Sequence, residues 1–545
     1  MATTRTSSEG EGRTQQPVLA SQRVQAGEIP AKPAYFPLGY KAAVGQWWTS
    51  VSPAIAEHNV LSFVPYLQKP PTHTQTGSAP VSAHQSSTSI NSDPAREAAP
   101  VRTTSITDPY GPRAWHSRLV NLSGKERAIN EFSVEREGEE VEENLVMLHG
   151  YGAGLGFFYK NFEGLSRVKG WKLYALDMLG MGRSSRPPFR IHAKDQQGKI
   201  TEAENWFIDA LEEWRVLKKI DKFTLLGHSM GGYMAVAYAL KYPGHLNKLI
   251  LASPVGIPED PYAVSAEMPE PEESAMANEF TQDQEDDIVN RTGNLKTSGD
   301  NNNFLNAKSN APLARKTPAE PERKPLPKWL TYLWDANISP FSIVRWTGPL
   351  GPRFVSGWTS RRFSHLPENE SQVLHDYAYS LFRQRGSGEY ALAYILAPGA
   401  FARSPLIRRI QGVGRQPIPL PVPIRQSTSS KSSQTPTSTP NSHAQEQLQK
   451  ETGIPIILMY GENDWMDVAG GFAAEQKLKE ERARVWKTAT TEEKNAENGS
   501  AKVVIIKKAG HHLYLDGWEE FNEVLRQEME HTSRQTKKRN GNGGL

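Results

Sequence analysis

Phe223-Thr-Leu-Leu-Gly-His-Ser-Met-Gly-Gly232 is the stretch on which the architecture turns. A short apolar run ends in Gly-x-Ser-x-Gly and passes at once into Tyr233-Met-Ala-Val-Ala-Tyr-Ala-Leu240, a helical pattern. A strand that turns so sharply into a helix strains the residue at its tip, and the positions two before and two after must be nearly free of side chain. Gly227 and Gly231 meet that need, and Gly232 lets the helix lie close to the sheet. Ser229 is therefore expected at the tip of a nucleophile elbow. The N-terminus of the helix then aims unpaired N–H groups at the place where an oxyanion forms during acyl transfer.

Working outward, residues 248–253 after the elbow and 171–177 before it read as buried strands, and residues 203–217 as an amphipathic helix with Trp206, Phe207, Ala210, Leu211, Trp214 and Leu217 at 3–4 spacing. Asn144-Leu-Val-Met-Leu-His-Gly-Tyr-Gly-Ala-Gly154 is another buried strand, running into a Gly-rich loop. That loop lacks the Lys-Ser/Thr of a nucleotide P-loop and the spacing of a dinucleotide fingerprint. Its expected use is to present the Tyr151 N–H as one half of an oxyanion hole, with the Met230 N–H as the other. His149 is expected to tie the loop, and Asp177, at the head of Asp-x-x-Gly-x-Gly, to brace it. Residues 115–121 and 127–135 add an antiparallel start. Strand, helix, strand, helix, strand is the doubly wound, mostly parallel pattern of an α/β protein.

Toward the C-terminus the body is interrupted. Residues 258–326 and 412–450 are rich in Pro, Ser, Asn, Gln and charge and are expected to be disordered inserts. Between them, 327–411 is more apolar, with helical periodicity over 373–383 and 390–401; this block is expected to be a cap giving a long acyl chain a dry place to lie. Arg403, Arg408 and Arg409 beside it form a cationic cluster that reads either as a contact for lipid phosphate or as a solvated helix end. The core, whose first part is 115–257, resumes over 451–531. A strand at 454–460 delivers Gly461-Glu-Asn-Asp-Trp465, where Asp464 is the expected acid of a triad and Glu462 and Asp467 are the alternatives. After a strand at 503–506 comes Lys507-Lys-Ala-Gly-His-His-Leu-Tyr-Leu-Asp516. His511, directly after the turn glycine, is the expected base, with His512 as its rival. A helix over 518–529 and a basic disordered tail, 532–545, complete this half.

The N-terminal part is different in kind. Residues 1–34 are polar and expected to be disordered, and 68–103 is a Pro/Ser/Thr/His linker. Residues 35–67 between them are crowded with aromatic and aliphatic side chains, including Trp47 and Trp48. These read as a membrane anchor with both indoles at headgroup level, or as a helix packed on the body.

Bulk properties narrow the choices. The 545 residues carry 39 prolines, a net charge of +3 and no cysteine. So small a charge, without a basic stripe, does not point to nucleic acid. Without cysteine there is no disulfide framework, thiol nucleophile or thiolate metal site. No stretch approaches the roughly 18 consecutive apolar residues of a spanning helix. Arg5, Arg13 and Arg23 among Ser and Thr are partly transit-like, although Glu9, Glu11 and Glu28 depart from that pattern.

With Ser229, Asp464 and His511 in that order, the chain resembles the α/β-hydrolase superfamily over 115–256 and 329–530. His149-Gly-Tyr-Gly-Ala-Gly-Leu-Gly-Phe-Phe-Tyr-Lys-Asn-Phe162, Trp346-Thr-Gly-Pro-Leu-Gly-Pro352 and Ala509-Gly-His-His-Leu-Tyr-Leu-Asp516 look like the subfamily that contains the lipid-droplet coactivator, its N-acyl-phospholipid lipase relative and fungal mitochondrial cardiolipin-specific deacylases. The 35–67 region is similar to that subfamily's tryptophan-bearing anchor, and the long inserts resemble its fungal members. The resemblance implies a serine acyl-ester hydrolase acting on membrane phospholipids, with cardiolipin-type phospholipase A activity in acyl-chain remodelling and no metal or other cofactor. The alternatives are a lysophospholipid (lysophosphatidic acid) acyltransferase on the same site and a non-catalytic coactivator of another lipase. The coactivator carries asparagine at the elbow position, where this chain has Ser229. The subfamily's His-x4-Asp pattern, proposed there to support acyl transfer to lysophospholipids, is matched by His511 and Asp516; the reading preferred here is that Asp516 caps the final helix. The implied location is the mitochondrial inner membrane as a peripheral protein, or else the cytoplasm, a lipid droplet or the ER surface.

Overall fold

The computed structural model describes residues 37–67, 69–71, 100–259, 337–397, 401–418 and 449–542. The expected disordered N-terminus, most of the linker and most of both inserts lie outside these residues. Nine strands form one sheet: β1 (Val101–Arg102), β2 (Arg113–Asn121), β3 (Ala128–Arg136), β4 (Glu143–Leu148), β5 (Trp171–Leu176), β6 (Phe223–His228), β7 (Leu246–Ala252), β8 (Pro455–Gly461) and β9 (Ser500–Ile506). Their order across the sheet is β1-β2-β3-β5-β4-β6-β7-β8-β9. The first three strands join antiparallel, and from β5 onward all pairings are parallel.

Alternation along β4 shows how the core is divided. Leu145 and Met147 face a cluster with Trp115, Phe132, Phe162 and the C-terminal helix, while Val146 and Leu148 face one with Trp214, Tyr233 and the elbow helix. Both faces of a parallel sheet must be covered, and that is why its strands are nearly continuous apolar runs. The second insert does not interrupt β7 and β8, which pair from Leu249↔Ile456 to Ala252↔Met459.

Four sequence expectations need correction. The C-terminal helix runs Trp518–Asn542, so residues 532–542 are not a disordered tail. Thr532 is buried, and Ser533 Oγ accepts from Trp171 Nε1 at 2.8 Å, so tertiary contacts hold a polar segment helical. The apolar period over 390–401 is helical only to Ile395; beyond it Leu396 bridges Ala402 antiparallel. Pro398 follows there, and proline disfavours a continued helix. Finally, the sheet begins inside the assigned linker, because β1 pairs with Trp115 and Ala114. Residues 412–418, assigned to the second insert, are ordered at its start: Val413 is buried and Pro417 bridges Lys450.

Above the carboxyl ends of the strands lies a helical layer built from Pro340–Trp346, Gly351–Arg362 and Glu368–Phe382. The N-terminal segment joins it as two helices, Tyr40–Thr49 and Pro53–Leu61. The second helix packs on Glu368–Phe382 and buries Ala56, Glu57, Val60 and Leu61. The first packs on Gly348–Leu350 and Gly351–Arg362, yet leaves Trp48 80% and Trp47 37% exposed. The segment thus divides: one helix belongs to the body, and the other carries the exposed indoles.

Candidate active site

Ser229 directly follows β6 with φ 52° and ψ −117°, a positive-φ conformation that a non-glycine residue adopts only under surrounding constraint. The constraint is backbone against backbone. A Cβ on Gly227 would stand 2.2 Å from Gly231 O, and one on Gly231 would stand 2.6 Å from His149 O. The elbow helix Met230–Lys241 starts directly after Ser229.

The loop after β4 reaches the same point. A Cβ on Gly150 would lie 3.0 Å from the Ser229 Cβ, so the loop passes against the elbow. Neither the Met230 N–H nor the Tyr151 N–H donates to a protein acceptor among the described residues. His149 Nδ1 lies 2.7 Å from Gly150 O, and its Nε2 accepts from the Met178 N–H at 3.1 Å. Burial holds this imidazole below its ordinary pKa. Asp177 braces the loop by accepting from Leu155 N at 2.7 Å, Arg183 N at 2.7 Å and Asn130 Nδ2 at 2.8 Å.

Behind Asp177 the helix Pro53–Leu61 contributes Glu57, which is fully enclosed, pairs with Arg183 Nη1, and accepts from Asn130 Nδ2 at 3.0 Å. Burial lifts Glu57 from its ordinary 4.5 to about 7, against the pull of Arg183.

On the far side, β8 delivers Asp464 and the loop after β9 delivers His511. His511 Nδ1 lies 3.2 Å from Asp464 Oδ1, and the Asp464 side chain is fully buried. Asp464 is held by the Met466 N–H at 3.0 Å and by the hydroxyl of Ser253, a buried residue at the end of β7 with φ 46°. An imidazole whose Nδ1–H points at a carboxylate keeps Nε2 as its acceptor. Ser229 Oγ has no hydrogen-bond partner among the described residues, so the serine–histidine bond is not closed in this conformation. Such bonds often tighten only with substrate present.

The competing residues are engaged elsewhere. His512 Nδ1 accepts from Arg362 Nε at 2.8 Å, and burial together with that guanidinium holds His512 well below its ordinary pKa. Glu462 accepts from Lys508 N at 3.0 Å, and Asp467 stands at the start of helix Val468–Thr488. Asp516 does not cap the final helix as expected; its carboxylate turns back to the Gly510 N–H at 3.0 Å. The cationic cluster is paired: Arg409 with Glu204 at 2.6 Å, Arg408 with Glu259 at 2.8 Å, and Arg403 Nε with Ala393 O at 2.9 Å.

Two supporting groups were not singled out from sequence. One is Ser253 on Asp464. The other is His228, whose Nε2 lies 3.0 Å from the His511 carbonyl and whose ring is 4.7 Å from that of His511. Burial keeps His228 neutral, well below its usual pKa, so it serves as a neutral donor to the loop. Trp465 packs on His511 at 4.8 Å. The Tyr151 ring stacks on Phe341 at 4.9 Å, and Phe341 on Phe382 at 4.4 Å, which seats the cap on the oxyanion loop. No group of His, Cys, Asp and Glu suited to a metal ion occurs among the described residues.

A strained serine between strand and helix, an acid after β8 and a histidine after β9 define a class of protein. The profile of the α/β-hydrolase fold matches residues 143–517, and the chain belongs to that superfamily. Within it, the chain is 31% identical over 365 residues to a 1-acylglycerol-3-phosphate O-acyltransferase of Arabidopsis thaliana, covering 66% of this chain and 64% of that protein. It is 28% identical over 388 residues to the 1-acylglycerol-3-phosphate O-acyltransferase ABHD5 of Rattus norvegicus, covering 70% of this chain and 76% of that one. The match to ICT1 of Saccharomyces cerevisiae, which bears the same enzyme name, is 22% identical and covers 70% and 80%. The chain spans slightly under two thirds of the length of the plant relatives. Among solved structures, an esterase from Exiguobacterium antarcticum aligns with TM-score 0.40 and 14% identity over 76% of this chain and 98% of that one.

Proposed function

We propose that the protein is a serine acyl-ester hydrolase that removes fatty-acyl chains from membrane phospholipids, with cardiolipin-type phospholipase A activity as its specific form. The observations that carry this reading are the 3.2 Å contact of His511 Nδ1 with the buried Asp464 and the strained Ser229, held at φ 52° between β6 and its helix. His511 Nε2 takes the proton of Ser229 Oγ as that oxygen attacks the acyl carbonyl, and Asp464 steadies the imidazolium. The Met230 and Tyr151 N–H groups receive the oxyanion, and loss of one such donor costs about 3–4 kcal/mol of transition-state stabilisation. The imidazolium then protonates the departing lysophospholipid oxygen. Water, activated by the same nitrogen, releases the fatty acid from Ser229.

A second reading keeps the acyl-enzyme and replaces water by a lysophospholipid hydroxyl. It is favoured by the relatives, whose names state acyl transfer to 1-acylglycerol-3-phosphate. Purified protein given labelled phospholipid vesicles, with and without lysophosphatidic acid, separates the two: free fatty acid alone supports hydrolysis, and label in the acceptor supports transfer. A Ser229→Ala protein that retained either activity would refute both.

The site works at a lipid surface in this reading. Trp47 and Trp48 are its membrane anchor, and Trp346, Leu350 and Phe354 on the adjoining cap are 70%, 40% and 57% exposed. Residues 37–56 and 337–367 contain no Asp or Glu, so no carboxylate on these segments repels an anionic headgroup. Among the described residues no helix is long and apolar enough to cross a membrane. Peripheral attachment at the mitochondrial inner membrane is the location proposed, and flotation of the protein with cardiolipin vesicles tests the surface.

A further inference from the structure

The loop that carries His511 holds a second set of contacts that the chemistry above does not use. Arg362 is the last residue of the cap helix Gly351–Arg362. Its Nε donates to His512 Nδ1 at 2.8 Å, and its Nη2 lies 3.3 Å and 3.4 Å from the two oxygens of Asp516. Asp516 in turn accepts from the N–H of Gly510 at 3.0 Å and has His365 Nε2 3.3 Å away. Gly510 immediately precedes His511. One carboxylate, with a side chain 5% exposed, therefore grips the backbone beside the candidate base with one oxygen and lies against a cap guanidinium with both.

The spacing explains why Asp516 arrives there. Leu513–Asp516 is a single helical turn whose last two N–H groups, of Leu515 and Asp516, bond back to the His512 carbonyl. The turn folds the chain over its own start, so a residue five positions after His511 meets the loop instead of the reacting atoms. No hydrogen bond or ion pair joins Asp516 to His511 or Ser229 among the described residues. What it does have is a charge-assisted bond on each side, one to the histidine loop and one to the cap.

We propose that Arg362, His512 and Asp516 form a clasp through which the cap sets the position of His511, and that Asp516 is a positioning residue for the acyl-enzyme chemistry. It acts identically whether water or a lysophospholipid takes the acyl group. The inference rests on the assignment of Ser229 and His511 as the reacting pair. Cutting the clasp leaves a guanidinium beside His512 without its carboxylate and frees the backbone at Gly510, and displacement of a base by about 1 Å costs roughly 100-fold in rate.

The test uses the full chain on labelled phospholipid vesicles with and without lysophosphatidic acid. Asp516→Ala is expected to lower kcat by about 10- to 100-fold with KM within about twofold, and to leave the ratio of transfer to hydrolysis unchanged. Asp516→Asn, whose amide oxygen still accepts from Gly510, recovers part of that loss. Arg362→Met lowers kcat in the same way, and the double variant Arg362→Met/Asp516→Ala falls no further than the worse single one. Selective loss of transfer with hydrolysis intact would overturn the clasp and make Asp516 a participant in transfer; additive losses would also overturn it. If Asp516→Ala does not melt cooperatively, Asp516→Asn carries the same measurements. Ser229→Ala runs alongside: activity persisting there condemns the assignment of the reacting pair, whereas its loss together with a changed ratio in the Asp516 variants condemns the clasp alone.

Discussion

The elbow and the helical layer above it are held by opposite means. Around Ser229 backbone meets backbone, and atoms added at Gly227 or Gly231 would stand 2.2–2.6 Å from carbonyl oxygens. The layer is held by side chains: the Tyr151, Phe341 and Phe382 stack, the Arg345–Glu389 pair at 2.6 Å, and the Glu57–Arg183 pair. Backbone contacts of that kind cannot be relaxed by a rotamer change, whereas stacked rings and ion pairs can be trimmed one group at a time. Damage to the elbow should accordingly be all-or-none, and damage to the layer graded.

The largest effect expected is from Ser229→Ala. It should lower acyl-ester turnover by roughly 10⁴- to 10⁶-fold while the melting temperature stays close to that of the parent, as steady-state kinetics and calorimetry would read. Gly231→Ala comes next. It should destabilise by about 3 kcal/mol, at the upper end for overpacking, and abolish labelling of Ser229 by a serine-directed phosphonate. A folded, fully labelled Gly231→Ala protein would break the contrast.

Phe341→Leu keeps most of the apolar volume but loses two ring stacks, and should cost about 1 kcal/mol in denaturant unfolding. Glu57→Gln sharpens the comparison through pH. Because the folded-state pKa of Glu57 is raised from 4.5 to about 7, the folded protein binds more protons than the unfolded one in that window. This group's contribution is therefore fully present below pH 4.5 and is lost as pH rises through about 7. The parent should lose stability relative to Glu57→Gln across that range, and parallel melting curves would contradict it. The smallest effect on stability belongs to Trp48→Ser. With 80% of Trp48 exposed, the change should stay within about 0.5 kcal/mol, while flotation with anionic vesicles falls.

This contrast also sorts what could be read from the chain. The elbow announces itself in five consecutive residues because its geometry is dictated locally, by glycines that no other residue replaces. Asp464 and His511 are marked in the sequence by chain order and by their place after a strand and a glycine turn. Their 3.2 Å approach is a fact of the sheet, which sets β8 beside β9. Ser253, His228 and Arg362 carry no local signal, since each acts through a neighbour 150 or more positions away. The same blindness misjudged the tail, where Thr532 and Ser533 look solvated until Trp171 is placed beneath them. It also left 35–67 with two readings, because one helix of that segment is exposed and the other enclosed.

The pairing of β7 with β8 has a consequence for how the protein is made. Translation delivers β7 and then more than 200 residues before β8 appears, roughly 10–40 s at ordinary ribosome speeds. For that interval the nascent chain carries Ser229 on an elbow whose sheet ends in an open parallel edge, ready to pair with a stranger. The same delay keeps Ser229 apart from Asp464 and His511, which arrive only with β8 and after β9.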